Sequence, residues 1–407
     1  MSTATAVEPR HAVVDAILRA NEGRKPDWAR IKYERMGEDV FAFFRGTNHL
    51  FAAGWAALAP RETGPSILLG GDLHLENFGA YRAEDGSFAF DVNDFDEATV
   101  GPSSIDLVRC ATSIFLAAEV WKLRPIQATR MVLGFVDSYR STIAEGFEEG
   151  SAGGGLGPVE ALLNRTAVGT RADLLARMTR VDKSGEPSIR RSSGQFPMVG
   201  KAKAGRIAAA IEAFGRAKGK ADSFRVLDVV DRIAGIGSLG VRRHVALVAG
   251  DGPPDGAWLL DIKEARPSSL AGCAEGPKPE NWTDDARRVV DAQRRLQAKP
   301  TAGLDILEID GRMFRVRDLI PSENRSRLDS FRRKPSQLRR AVEVAGRITA
   351  RSQLRGARPG DGDRTDDLRA WAAGPAADGV LAAAIRFADQ SRDHYKAFKK
   401  FGADLEA

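Results

Sequence analysis

Cysteine is nearly absent from this chain: Cys110 and Cys273 are the only two in 407 residues. Two thiols so far apart provide neither a disulfide framework nor a four-cysteine metal site, which points to a reducing, cytoplasmic setting. Long hydrophobic runs are missing as well. The longest apolar helical candidate, Ile105 to Leu123, contains Asp106, Arg109, Glu119 and Lys122, so it reads as a core helix and not a membrane span. The opening residues, Met1 to Glu8, lack both the basic start and the apolar stretch of a signal peptide. Charge of one sign is not concentrated anywhere. The net charge of +6 suits an anionic ligand, but the basic residues are spread too widely for a nucleic-acid stripe. An apolar content of 43% and a charged content of 29% describe a soluble globular chain, long enough for two lobes.

The chain is organised around Gly70 to Glu97. Gly71-Asp72-Leu73-His74-Leu75-Glu76-Asn77 follows an apolar strand, Pro65 to Leu69. A short hairpin turning at Glu84-Asp85-Gly86 leads into a second strand, Ser87 to Val92, and then Asn93-Asp94-Phe95-Asp96-Glu97. Unpaired carboxylates are costly to bury, so a cluster at the ends of apolar strands faces a cation, a metal or water. Asp72 and Asn77 are followed by Asp94-Phe95 at the end of the next strand, the layout of a kinase catalytic loop and its metal-binding aspartate. The loop resembles that of the aminoglycoside phosphotransferases, with Gly70 in place of the leading His. The resemblance implies Asp72 as base, Asn77 and Asp94 as magnesium ligands, Asp96 as a further metal or water ligand, and Asp106 as a buttress of the loop.

Gly235-Ile236-Gly237-Ser238-Leu239-Gly240 fits a glycine-rich loop, a weak signal alone. Its flanks decide the reading. Phe224 to Ile233 before it and Val241 to Val248 after it are both rich in β-formers, whereas a dinucleotide fingerprint must open a helix. Strand, glycine loop, strand is the kinase arrangement, with Gly235, Gly237, Ser238 and Gly240 over nucleotide phosphates. A third strand, Ala257 to Ala265, ends on Lys263, which in that fold pairs with the nucleotide phosphates. A helix from Thr283 to Gln297 follows, whose Asp291, or alternatively Asp285, is expected to orient Lys263. Strands Leu304 to Ile309 and Met313 to Val316, turning at Asp310-Gly311, complete a five-strand, one-helix small lobe ending at a hinge near Asp318 to Pro321.

The order of these parts is the reverse of an ordinary kinase, because the catalytic loop precedes the glycine loop. A circular permutation reconciles the two, since termini often lie close together on a domain surface. The whole chain resembles a bacterial family known as domain of unknown function 2252, on Phe43-Phe44-Arg45-Gly46, Gly71 to Asn77, Asn93 to Asp96, Gly235 to Gly240 and Lys263-Glu264-Ala265-Arg266-Pro267. The expectation is an α+β, two-lobed, permuted kinase-like fold. Residues 1–210 form a large helical lobe, 222–320 a small β-rich lobe, and 321–407 helices that complete the large lobe.

Several segments stay open to two readings. Arg45 is either a surface cap or an anion contact near the catalytic loop. Gly150 to Gly155 reads as a flexible connection, and Asp182 to Gly205, with Arg190-Arg191, Lys201 and Lys203, as a solvated basic loop or one facing phosphate. Apolar stripes around Leu338 to Arg351 and on Tyr395, Phe398 and Phe401 read as scaffold. The function expected is ATP- and magnesium-dependent phosphoryl transfer to an unknown small-molecule acceptor. A catalytically inactive nucleotide-binding regulator and a nucleotidyl transferase are the alternatives.

Overall fold

The computed structural model describes residues 11–146, 156–168, 171–181, 185–252, 256–273, 278–320, 331, 333–358, 362–402 and 405. The Gly150 to Gly155 connection, Pro321 of the expected hinge and the beginning of the last helical segment at Arg325 lie outside them.

Four helices open the chain: α1 (Ala12–Ala20), α2 (Pro26–Met36), α3 (Val40–Gly46) and α4 (Asn48–Leu58). Pro26 starts α2 where a missing N–H costs nothing, and Asp39 caps α3 by accepting from Ala42 N at 2.7 Å. Strands β1 (Ser66–Leu69), β2 (Phe78–Arg82), β3 (Phe88–Val92) and β4 (Thr99–Pro102) follow. β2 and β3 form the antiparallel hairpin expected from Glu84-Asp85-Gly86. β4 escapes the sequence reading because Gly101-Pro102 looks like a strand breaker. It pairs with β1 in a two-stranded sheet, where every strand is an edge and proline is tolerated.

The long helices α5 (Ser104–Val120) and α6 (Pro125–Glu145) come next, then α7 (Glu160–Val168) and α8 (Arg171–Met178), the short strands β5 (Thr179–Val181) and β6 (Pro187–Ile189), and α9 (Lys201–Ala217). Strands β7 (Val226–Asp231), β8 (Arg243–Val248) and β9 (Trp258–Glu264), helix α10 (Asp285–Leu296), and strands β10 (Asp305–Ile309) and β11 (Arg312–Asp318) follow. The chain ends with α11 (Pro335–Gly356), α12 (Thr365–Ala373) and α13 (Gly379–Phe401).

Strands β7 to β11 form one antiparallel sheet in the order β10-β11-β9-β8-β7. Alternation along the strands gives it two unlike faces. Leu260, Ile262, Ala246, Phe314 and Val316 pack beneath Ile207 and Ile211 of α9. The neighbouring positions Asp261, Lys263, Arg243, Arg315 and Arg317 are all buried too, on the face turned towards the catalytic loop. Lys201 and Lys203 therefore open a helix over the sheet and do not lie in a loop. Residues of β6 and α8 join the core of this same sheet, so the change of packing partner comes ahead of the expected boundary at residue 210, which falls inside α9.

The large core unites α5, α6, α11 and α13, and Val289, Ala292 and Leu296 of α10 join it. α6 and α11 approach closely at Gly346, where a Cβ would stand 2.3 Å from Phe135 O. That neighbour is backbone and cannot swing aside. Gly346→Val is expected to destabilise the protein by about 3 kcal/mol through overpacking. In urea unfolding the midpoint should fall at unchanged m; an unchanged midpoint would mean that the helices separate freely.

Candidate active-site cleft

Between the Asp72–Asp96 segment and the five-stranded sheet lies a cleft of about 380 Å³, floored by Asp72, His74, Asn77, Asp94 and Asp96 and roofed by Gly235 to Ser238 and Lys263. The catalytic-loop turn is built around Gly71, which has φ +81°; a Cβ there would stand 2.1 Å from Glu97 O. Only glycine lets the loop pass so close to the segment that carries Asp94 and Asp96. Asp106, at the first turn of α5, accepts from Gly70 N at 3.1 Å and Gly71 N at 2.8 Å. This is the buttress expected of it, and burial raises its pKa to about 6 against those two hydrogen bonds.

Asp72 is held from the opposite side. Arg109, wholly buried in α5, donates from Nε to Asp72 Oδ1 at 2.5 Å and from Nη2 to Phe44 O at 3.2 Å, with its guanidinium 4.2 Å from the centre of the Phe44 ring. Burial drives the Asp72 pKa up to about 7; the Arg109 charge restrains the rise, while Glu97 and Asp94 add to it. Asn77 donates its side-chain amide to Asp72 O, which leaves its carbonyl oxygen as the remaining polar end. Phe95 is buried, while Asp94 on one side of it is 44% and Asp96 on the other 31% exposed, so the two carboxylates flank an apolar anchor.

Lys263 reaches these carboxylates from β9. Its ammonium is paired with Asp96 and lies 3.8 Å from Asp94 Oδ1. Two residues back on the same face stands Asp261, which gathers arginines and does not meet the lysine. Asp261 accepts from Arg243 Nε at 2.8 Å and Nη2 at 2.7 Å, and meets Arg232 at 2.9 Å and Arg315 at 3.4 Å. Burial alone would raise the Asp261 pKa, but these guanidiniums outweigh it and keep the carboxylate ionised. Arg317, on the same face, donates to Asn93 O at 3.1 Å and so ties the sheet to the Asp94 segment.

The expectation for Asp291 needs correction. It accepts from Trp282 Nε1 at 2.8 Å and from Arg295 at 3.5 Å, and it does not pair with Lys263. Asp285, the alternative, takes Arg288 at 3.0 Å. The inward position of α10 belongs to Arg288, which donates to Asp96 O, Ala98 O and Arg266 O at 2.7 to 2.8 Å. The helix thus grips the Asp96 backbone, and the carboxylates that orient Lys263 come from the Asp94-Phe95-Asp96 segment itself.

Gly235 and Gly240 take left-handed backbone, with φ +77° and +87°. Ser238 bonds within the turn, its hydroxyl donating to Ala234 O at 3.1 Å. The carbonyls of this turn are held by residues that spacing does not reveal. Arg24 and Lys32 both donate to Gly237 O, and Lys25 N donates to Gly240 O at 3.0 Å. Arg45 turns out to be an anion contact, paired with Glu76 of the catalytic loop at 2.7 Å. Glu97 accepts from Ser269 N at 2.6 Å and from the hydroxyls of Ser268 and Ser269, fastening the segment after β9 to the floor.

Among the described residues no group of three His, Cys, Asp or Glu side chains is placed to hold a metal by itself. The donors present, Asn77 and the carboxylates of Asp94 and Asp96, are hard oxygen ligands in small number. That set fits magnesium, which keeps waters and takes substrate phosphates alongside one or two carboxylates. No helix among the described residues is long and apolar enough to cross a membrane.

Residues 24–401 match the model of a family described as an uncharacterized protein conserved in bacteria (DUF2252), and the chain belongs to that family. No curated protein and no solved structure matches the chain.

Asp106→Ala strips two buried backbone N–H groups of their acceptor and is expected to cost about 2 to 4 kcal/mol. Asp106→Asn, which keeps one acceptor oxygen, should fall between it and the parent in chemical denaturation. Equal stability of all three would mean that Asp106 does not hold the loop.

Proposed function

We propose that this protein is a magnesium-dependent phosphotransferase that uses ATP, with a kinase-like site assembled in circularly permuted order. The observation that carries the reading is the pairing of Lys263 with Asp94 and Asp96 across a cleft that also contains Asp72, Asn77 and the glycine turn. Two distant segments of the chain thereby supply one set of residue types with the division of labour that phosphoryl transfer needs.

In this reading Lys263 leaves the carboxylates to engage the nucleotide phosphates, and Asp94 with Asn77 would hold a magnesium ion, whose charge would offset that developing on the phosphoryl oxygens. Asp72 accepts the proton of the acceptor hydroxyl. Arg109 takes Asp72 Oδ1 and so orients the carboxylate, leaving its other oxygen for the substrate. The acceptor oxygen forms the new P–O bond, the β–γ bridging bond breaks, and ADP leaves.

The roles separate by mutation. Asp94→Asn and Lys263→Met should weaken magnesium-ATP binding, whereas Asp72→Asn should leave it largely intact and reduce turnover by about 10²-fold or more. Calorimetric titration combined with release of labelled phosphoryl product distinguishes them; loss of nucleotide affinity in Asp72→Asn alone would reverse the assignment. A base must be ionised to act, and the Asp72 pKa stands at about 7. Turnover should therefore fall as pH drops through about 7, and a rate independent of pH from 5 to 8 would remove Asp72 as the base.

A further inference from the structure

Besides Lys263, the cleft contains cations that meet backbone carbonyls and no carboxylate. Lys32, only 2% exposed, donates to Gly237 O at 3.3 Å, and Arg24 donates to the same oxygen at 2.8 Å and to Leu239 O at 2.5 Å. Arg266 donates to Glu22 O at 2.9 Å. Among the described residues none of the three forms an ion pair with a carboxylate, and all three line the cleft. The carboxylates nearby are engaged elsewhere: Asp72 by Arg109, Asp94 and Asp96 by Lys263, Glu97 by Ser268 and Ser269, and Glu264 by Arg242 and Arg312.

Burying an ammonium against a carbonyl alone is unfavourable, and two cations sharing one oxygen repel each other. Burial and the neighbouring Arg24 push the Lys32 pKa well below its ordinary value, while burial and Arg266 lower Arg24 to about 10. Two neutral polar atoms beside them also lack a partner. His49 Nε2 and Asn48 Oδ1 are buried without a hydrogen bond, and both residues line the same cleft. Burial, then Lys32 and Arg24, bring His49 to about 3, so the imidazole is uncharged at neutral pH. Asn48 donates at 3.4 Å to Gly71 O, next to Asp72.

We propose that Arg24, Lys32 and Arg266 recognise the phosphate of a phosphomonoester acceptor, with Asn48 and His49 placed to hold its hydroxyls beside Asp72. The inference rests on the phosphotransferase reading and names the acceptor class for it. A cluster of three cations matches a dianionic phosphate better than a single carboxylate. It also repels a polycation, so the acceptor is not of the aminoglycoside class whose enzymes the catalytic loop resembles.

Inorganic phosphate titrated calorimetrically into protein saturated with magnesium and a non-hydrolysable ATP analogue tests this. One phosphate per chain should bind alongside the nucleotide. Arg24→Met, Lys32→Met and Arg266→Gln should each weaken phosphate about tenfold or more, the scale of one charge-assisted hydrogen bond, and by clearly more than they weaken the nucleotide. Lys32→Met should also melt no lower than the parent without ligands, since it removes a buried charge that lacks a counterion; a lower melting temperature would make Lys32 structural and overturn the assignment. Phosphate that competes with the nucleotide, or variants that lose nucleotide affinity in parallel, would place these cations on ATP instead. Phosphate binding with no nucleotide binding would overturn the phosphotransferase reading and the acceptor assignment with it.

Discussion

The contact between Lys263 and the Asp94-Asp96 pair is the constraint from which the arrangement of the protein follows. Lys263 is 3% exposed and finds its counter-charge in the half-exposed carboxylates of Asp94 and Asp96, which flank the buried Phe95. Each half of the molecule resolves the other's imbalance, which draws the five-stranded sheet down onto the catalytic loop. The sheet face is prepared for this by Asp261, which gathers Arg232, Arg243 and Arg315. Those guanidiniums outnumber their carboxylate, and the excess of positive charge faces Asp94 and Asp96. The two sets of charges thus hold the sheet against the Asp94-Asp96 segment and leave Lys263 in a pair that an anionic ligand can replace.

The floor obeys a different logic. Asp72 is set between Arg109, which favours its charged form, and burial, which favours the neutral one, and the balance leaves it close to neutral pH. Asp106 fixes the position of the loop through backbone N–H groups, independent of the side chains the loop presents. Position and reactivity are therefore governed by separate residues of the same helix, α5.

What the sequence made legible was short in range. Strand alternation and turn residues marked the hairpin at Glu84 to Gly86 and the strands of the small sheet within a few residues of their observed ends. The spacing from Asp72 to Asn77 and on to Asp94 marked the floor of the cleft, and Asp106 was readable as a buttress because it lies close to the loop in sequence. Long-range choices were not legible. Nothing in the local pattern of Gly101-Pro102 announces a strand paired with Ser66 and Ile67, and nothing in α10 announces that Arg288, not Asp291, faces inward. Lys32 belongs to α2 and Arg24 to the turn just ahead of it; their contacts depend on the glycine turn arriving beside them from a segment some two hundred residues later. The signal available for Lys32 is its place in the stripe of Trp28, Ala29, Tyr33 and Met36, where helical spacing calls for an apolar residue.

The central claim is that this cleft receives a nucleotide through its metal. It is tested most directly by calorimetric titration of ATP into the intact protein with magnesium and again with the metal chelated. The account predicts binding of one ATP per chain that depends on magnesium and is abolished or strongly weakened by Lys263→Met. Absence of binding at millimolar ATP with magnesium, or binding indifferent to both the metal and Lys263, would contradict it.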